Sequence, residues 1–233
     1  MKPMIFIKSC DRDRNNGRND VVRETWIKTW NNLVDYKFLI GQGAKNPRDD
    51  ELFIDIPDTY DFMSSKCRAA CRWLGGRADY VFIADIDTYI VVPRLLASGY
   101  KKHDYLGCIC FDPPYAGGGC GYWLSRKCYK MIAANTDKNI PKWDDLWIGR
   151  VLREAGVPLS HDLRYWTDAH CHNGILHGGV GAFPYWQDGV WDGGWITAHL
   201  GRGTNTFEPK WMKECHELYL RNHPLRLALG PQR

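Results

Sequence analysis

The sequence has no long apolar run. No stretch approaches the roughly 20 apolar residues that span a bilayer. Met4 to Ile7 is too short for a secretion-signal core, and Lys8, Asp11 and Arg12 follow at once. It also has little excess of either charge. The 31 basic and 27 acidic residues leave a net +4, compatible with an anionic ligand without demanding nucleic acid. There is no internal repeat, low-complexity tract or linker, so the 233 residues read as one domain. There is no C-x-x-C pair. Nine cysteines, an odd number at irregular spacing, fit free thiols in a reducing, cytoplasmic setting. Neither G-x-G-x-x-G nor a Walker loop occurs, so Gly41-Gln42-Gly43 reads as a strand exit rather than a phosphate cradle. Against these absences, the hydrophobic content of 44% and charged content of 25% are ordinary for a folded domain, whereas 11 tryptophans are many. Tryptophan fills cores, and it also lines sites that stack flat or ring-shaped ligands.

The chain is organised around Tyr80 to Ile90. Tyr80 to Ala84 has no polar alternation, which predicts a strand buried on both faces in a parallel sheet. It runs into Asp85 and Asp87. Ligands of open α/β sheets bind outside the carboxyl ends of the strands, so both acids should stand at the rim of a crevice. If the extended conformation continues, they point the same way. Close carboxylates repel unless a cation or proton lies between them. Hard divalent ions take oxygen ligands and share them with substrate phosphates. An Asp-x-Asp at this place thus suggests a metal–diphosphate site; the alternative is a solvated strand exit.

Further strands are expected at Pro3–Ser9, Tyr36–Ile40, Leu52–Ile56, Asp104–Ile109 and Trp195–Leu200. Cys10–Asn19 reads as a polar loop, and helices are expected at Asp20–Trp30, Phe62–Leu74, Lys142–Ala155 and Pro209–Leu220. Pro113–Tyr122 is a glycine-dense loop, and Arg221–Arg233 a basic tail. The alternation of strands and helices predicts an α/β fold with a mostly parallel central sheet flanked by helices. A nucleotide-binding half spans about 1–100, and an acceptor half about 101–220.

Several stretches share an order with a known family. These are Arg18-x-x-x-x-Arg23-x-Thr25-Trp26, then Phe38-Leu39-Ile40-Gly41, then Asp58-Thr59-Tyr60 through Ser64, Lys66 and Trp73, then Asp85-Ile86-Asp87. Pro114-Tyr115-x-x-Gly118-Gly119-x-Gly121-Tyr122-x-Leu124-Ser125 and Asp144-Asp145-Leu146-x-x-Gly149 follow. Together they resemble the inverting β1,3-glycosyltransferases that include fringe and the core-1 galactosyltransferases, over residues 4 to 157. The chain departs from that pattern in three ways. Ile86 replaces the middle Asp of the family's triplet, Phe62-Met63-Ser64 stands near its Asn-Leu-Thr, and no membrane anchor precedes the first strand. These departures suggest a distant cytosolic member, bacterial or viral, or else an isolated catalytic domain.

The resemblance implies a GT-A-type fold, a UDP-sugar donor, Mn2+ or Mg2+, and inversion at the anomeric carbon. Inversion needs a positive charge on the leaving diphosphate and a carboxylate to take the acceptor's proton. By motif position, Asp87 is the expected metal ligand and Asp85 binds the ribose or donor sugar. A late histidine completes the family's metal site. The candidates are His170, His172, His177 and His199, with His199 preferred because it ends the apolar run Trp195–Ala198 before Gly201-Arg202-Gly203. Asp145 is the expected general base, with Asp144 beside it; a neighbouring like charge raises a carboxyl's pKa. Ser9, Arg23 and Lys66 are donor-side candidates, although Arg23 equally suits holding the first helix to the sheet. Trp143, Trp147, Tyr115, Gly118 and Gly119 are acceptor or sugar-stacking candidates, with core packing the alternative for the tryptophans.

Three other readings stand beside this one. Asp168, His170, Cys171, His172 and His177 could instead gather a zinc ion. A non-catalytic carbohydrate-binding protein would keep the fold and the tryptophans. The acceptor is a glycan by default; the alternative is a hydroxymethylated base in viral DNA. Arg12, Arg14 and Arg18 in the first loop and Arg221, Arg226 and Arg233 in the tail could neutralise phosphates, as the DNA alternative needs, but they read first as ordinary solvated surface.

Overall fold

Alternate side chains of the central strands sort to opposite faces, and this divides the core in two. Ile5, Ile7, Phe38, Ile40, Phe82 and Ala84 join one buried cluster, while Met4, Phe6, Leu39, Val81 and Ile83 join the other. A computed structural model describes residues 1–110, 113–165, 169–172, 175–178, 195–201 and 207–222. In chain order its strands begin with β1 (Met4–Lys8), β2 (Asp35–Ile40), β3 (Glu51–Phe53), β4 (Tyr80–Asp85) and β5 (Thr88–Ile90). There follow β6 (Tyr105–Gly107), β7 (Ile109–Cys110), β8 (Tyr115–Ala116), β9 (Tyr122–Ser125) and β10 (Ser160–His161). The last are β11 (Ala169–His172), β12 (Ile175–Gly178) and β13 (Thr197–His199). The helices are α1 (Asp11–Asn15), α2 (Arg18–Val22), α3 (Lys28–Trp30), α4 (Met63–Leu74), α5 (Val92–Leu96), α6 (Arg126–Ala134), α7 (Asp144–Glu154) and α8 (Pro209–Asn222).

Seven strands form the main sheet in the order β10-β6-β9-β4-β1-β2-β3. Only β9 runs against its neighbours; the other pairings are parallel. β4 is fully buried from Val81 to Ala84, which is why its sequence lacks polar alternation. From β1 the chain adds β2 and β3 on one side and then β4 on the other. The carboxyl ends of β1 and β4 therefore flank a switch point, where α/β sheets open a crevice. Lys8 is in register with Asp85 at that edge.

Some expectations are corrected. Cys10–Asn19 is mostly helical rather than a loop, broken at Gly17, whose φ of 82° suits glycine. Its charged residues looked solvent-bound but are paired: Arg18 meets Asp13 at 2.9 Å and Arg14 meets Glu51 at 3.1 Å. The expected Asp20–Trp30 helix is interrupted by a π turn at Arg23–Ile27, where the Thr25 hydroxyl donates to the Val21 carbonyl at 2.7 Å. The glycine-dense stretch holds β8 and a tight turn at Gly118–Cys120 before β9 begins. α8 runs on to Asn222, so the expected tail begins in helix, and residues 223–233 lie outside the described part. No helix among the described residues is long and apolar enough to cross a membrane.

β9 is locked to the sheet by Trp123. Its ring is fully buried, stacks on Tyr100 at 4.0 Å and 10°, and donates from Nε1 to the Tyr165 hydroxyl at 3.0 Å. Trp123→Ala should lose about 3–5 kcal/mol of stability in a urea titration, the usual cost of deleting a packed aromatic.

Candidate functional site

The site starts from Lys8. It ends an otherwise apolar strand, and its ammonium is buried. It lies 2.7 Å from Asp85 Oδ1, 2.9 Å from Asp144 Oδ1 and 3.0 Å from Asp144 Oδ2. The Tyr122 hydroxyl donates to Asp144 Oδ2 at 2.9 Å. Burial works against the charged ammonium, but Asp144 and then Asp85 outweigh it and hold the Lys8 pKa well above its ordinary value. The sequence reading passed over Lys8. A lysine closing an all-apolar strand beside an acidic strand end is the signal that would have found it.

Beyond Asp85 the chain leaves the strand. Ile86 and Asp87 form a turn, and β5 then pairs antiparallel with β13, placing His199 opposite Thr88. The extended geometry assumed for the two acids does not persist, yet their carboxylates still converge. Ligand atoms of Asp85, Asp87 and His199 all lie within 4.8 Å of one another. His199 Nε2 is 3.2 Å from Asp87 Oδ2, and the Leu200 amide donates to the Asp87 carbonyl at 2.9 Å. Two glycines make room. A Cβ on Gly201 would stand 2.0 Å from Asp87 Oδ2, and one on Gly119 would stand 2.8 Å from the His199 ring.

These residues fit a divalent cation. Asp87 Oδ1 is buried and has no hydrogen-bond partner, and a buried carboxylate oxygen is costly to leave unsatisfied. Two carboxylates and an imidazole form a donor set used by manganese, magnesium and related ions. The two acids differ in surroundings. Burial pushes the Asp85 carboxyl up, and the facing Asp87 adds to this against the pull of Lys8. Burial also works against ionised Asp87, but His199 outweighs it and holds the carboxyl below its ordinary value.

A cleft of about 630 Å³ opens at this edge, within the range of small-molecule sites. Lys8, Ser9, Asp85, Asp87 and His199 line it, with Asp58, Tyr60 and Lys66 along one wall and Arg12, Arg18 and Phe207 also contributing. The Ser9 hydroxyl donates to Asn19 Oδ1 at 2.6 Å. Lys66 lines the cleft but is only 1% exposed; it donates to the Ser9 carbonyl at 2.7 Å and to Asp58 Oδ1 at 2.5 Å. Asp58 also accepts from the amides of Asp11 and Gly41, so it ties α1, β2 and α4 into that wall. Burial, then Asp85, Asp144 and Asp145 push the Tyr60 phenol up while Lys8 opposes.

Asp144 and Asp145 start α7 but go separate ways. Asp144 is buried against Lys8, so it is a structural counter-ion and not a free neighbour of the acceptor. Asp145 is half-buried; Oδ2 accepts from the Gly118 amide at 3.0 Å and Oδ1 from the Leu146 amide at 2.8 Å. A Cβ on Gly118 would stand 2.8 Å from Lys8 Nζ and 3.3 Å from Asp145 Oδ2, so this glycine lets the loop pass between them. Trp143 is 50% exposed, whereas Trp147 is fully buried in the core and cannot stack a sugar. Tyr115 packs against Gly149 of α7, where an added Cβ would lie 2.4 Å from its own. Arg23 is not among the cleft residues. It binds Asp20, Asp50 and Glu51 and lies 4.6 Å from the centre of the Phe38 ring, which fastens the first helical segment to β2 and β3. Asp168 and the side chains of His170, Cys171, His172 and His177 lie outside the described residues, as does the zinc alternative built on them.

No family model matches the sequence, and no curated protein matches it. Solved structures do. A glycosyltransferase involved in glycosylation of the major capsid of PBCV-1 superposes with a TM-score of 0.50 at 9% identity, covering 94% of this chain and 100% of that one. The fold is that of the GT-A glycosyltransferases. The catalytic domain of Drosophila β1,4-galactosyltransferase 7 with xylobiose gives a TM-score of 0.48 at 13% identity, covering 90% of this chain and 78% of that one. A complex of a mutant of that enzyme with manganese, UDP-Gal and xylobiose gives 0.46 at 13% identity, with 91% and 79% covered. At such identities the likeness is one of fold. In this GT-A chain, as in any fold, function must be argued from the site itself.

Lys8→Met keeps the length of the side chain but leaves Asp85 and Asp144 without their cation. Denaturant unfolding should show a loss of about 3–5 kcal/mol, the cost of breaking a buried ion pair. An unchanged midpoint would show that the pair does not support the fold.

Proposed function

We propose that the protein is a metal-dependent, inverting glycosyltransferase of the β1,3 type, moving a sugar from a UDP-sugar to a glycan hydroxyl. The observation that carries this reading is the convergence of Asp85, Asp87 and His199 at the switch-point cleft, with one buried carboxylate oxygen left over. The motif order in the sequence supports the β1,3 assignment, and the fold agrees with a nucleotide-sugar donor.

Asp87 and His199 would hold the ion, with Asp85 beside them. The ion, manganese or magnesium, supplies positive charge to the leaving diphosphate. Ser9 and the wall formed by Asp58 and Lys66 shape the donor end of the cleft. Lys8 neutralises Asp85 and Asp144 and so limits repulsion of an anionic donor. Asp145 takes the proton of the acceptor hydroxyl. Its two amide bonds fix its orientation, and each carboxylate oxygen keeps a lone pair for that proton. Trp143, at the start of the same helix, offers an exposed ring face for an acceptor sugar.

Two variants separate the roles. Asp87→Ala should abolish manganese-dependent release of nucleotide from a UDP-sugar while leaving the unfolding midpoint near wild type, since the variant removes a buried carboxylate oxygen that has no partner. Retained turnover without a greater need for manganese would overturn the metal assignment. Asp145→Asn is close in shape but cannot take a proton. It should bind UDP normally and transfer about 100-fold or more slowly, the scale of general base catalysis. Near-normal transfer by this variant would move the base elsewhere.

A further inference from the structure

Two of the most exposed large side chains lie together beside the cleft. Trp143 is 50% exposed and Tyr60 is 46% exposed. Between them stands Lys142, its ammonium 5.0 Å from the Trp143 ring centre and 5.9 Å from that of Tyr60. The segment is anchored: the Ser64 hydroxyl donates to the Pro141 carbonyl at 2.5 Å, and the Trp147 amide to the Trp143 carbonyl at 3.1 Å. Tyr60 lines the cleft, while Trp143 stands two residues before Asp145. This group therefore starts at the cleft wall with Tyr60 and ends two residues before the residue assigned as base.

We propose that Tyr60, Lys142 and Trp143 form the acceptor subsite and that it selects a pyranose carrying an anionic group, a carboxylate or a phosphate. The proposal rests on the transferase reading and names the class of its acceptor. Among the described residues no carboxylate pairs with Lys142, while Lys8 already offsets Asp85 and Asp144. At exposed sites a cation over an aromatic ring is held only weakly. An anionic substituent gives the ammonium a stronger partner, draws it off the ring faces and frees them for a sugar. A neutral sugar stacks on the same rings but must displace Lys142 with nothing in return. The long aliphatic stem of lysine lets the ammonium move without disturbing the backbone.

The test is ligand-observed NMR on the full chain with three probes: methyl glucoside, methyl glucuronide and glucose 6-phosphate. Both anionic sugars should bind about twofold to fivefold more tightly than the neutral one, the effect of one exposed charge pair. Lys142→Met should erase that preference, and Trp143→Ala should weaken all three. Equal binding of neutral and anionic sugars, no binding of any, or an unchanged preference in Lys142→Met overturns the proposal. Competition by inorganic phosphate as strong as by glucose 6-phosphate also overturns it, since it marks an anion site without a sugar platform. Titration of wild-type protein with UDP and manganese separates the two levels. UDP binding without anionic preference sinks this inference alone, whereas absent UDP binding sinks the transferase reading.

Discussion

A buried ammonium between two carboxylates holds the site together. Lys8 comes from the end of the first strand, Asp85 from the end of β4, and Asp144 from the first turn of α7. One cation thus joins the sheet edge that carries the metal candidates to the helix that carries the candidate base. Burying Lys8 and Asp144 is costly, and it is tolerated because the geometry is good, Asp85 shares the ammonium, and Tyr122 satisfies a further lone pair. The arrangement also separates the two neighbouring acids of α7. Asp144 is held in the ion pair, whereas Asp145, the residue proposed as base, accepts only from the amides of Gly118 and Leu146 among the described residues.

The same logic separates Asp85 from Asp87. Asp85 has a direct counter-ion in Lys8, whereas Asp87 is offset mainly by His199 and keeps an oxygen with no partner. Of the two, Asp87 is the one with no lysine or arginine in direct contact among the described residues. The turn at Ile86–Asp87 and the short β5–β13 ladder bring His199 to it, and Gly201 leaves the space in which the groups meet. A strand, a turn and a distant strand are all needed to build this one cluster, which is why it lies at the sheet edge and not within a single element.

Much of the frame was legible in the sequence. The unbroken apolar run at Tyr80–Ala84 marked a strand buried on both faces, and the acids that follow marked the edge where a crevice opens. His199 could be singled out because it closes a short apolar run before glycines. What stayed hidden depended on contacts far apart in sequence. Lys8 and Asp144 are 136 residues apart, and nothing local says that one neutralises the other. Arg23 and Lys66 carry the charge a phosphate would seek, but carboxylates at Asp50, Glu51 and Asp58 already use it. Trp143 and Trp147 look alike in sequence; Trp143 is the extended residue just before α7 and stays half-exposed, whereas Trp147 lies within the helix and enters the core. The charged stretch after β1 read as loop because its ion pairs, not its apolar spacing, hold it helical.

The central claim is that Asp87 and His199 place a divalent ion against the diphosphate of a nucleotide donor. Pulsed electron paramagnetic resonance of manganese bound to the protein with UDP tests it directly. The account expects nitrogen coupling from a histidine that disappears in His199→Gln, together with phosphorus coupling from the diphosphate. A manganese signal showing water alone, or one whose nitrogen coupling survives that substitution, would contradict it.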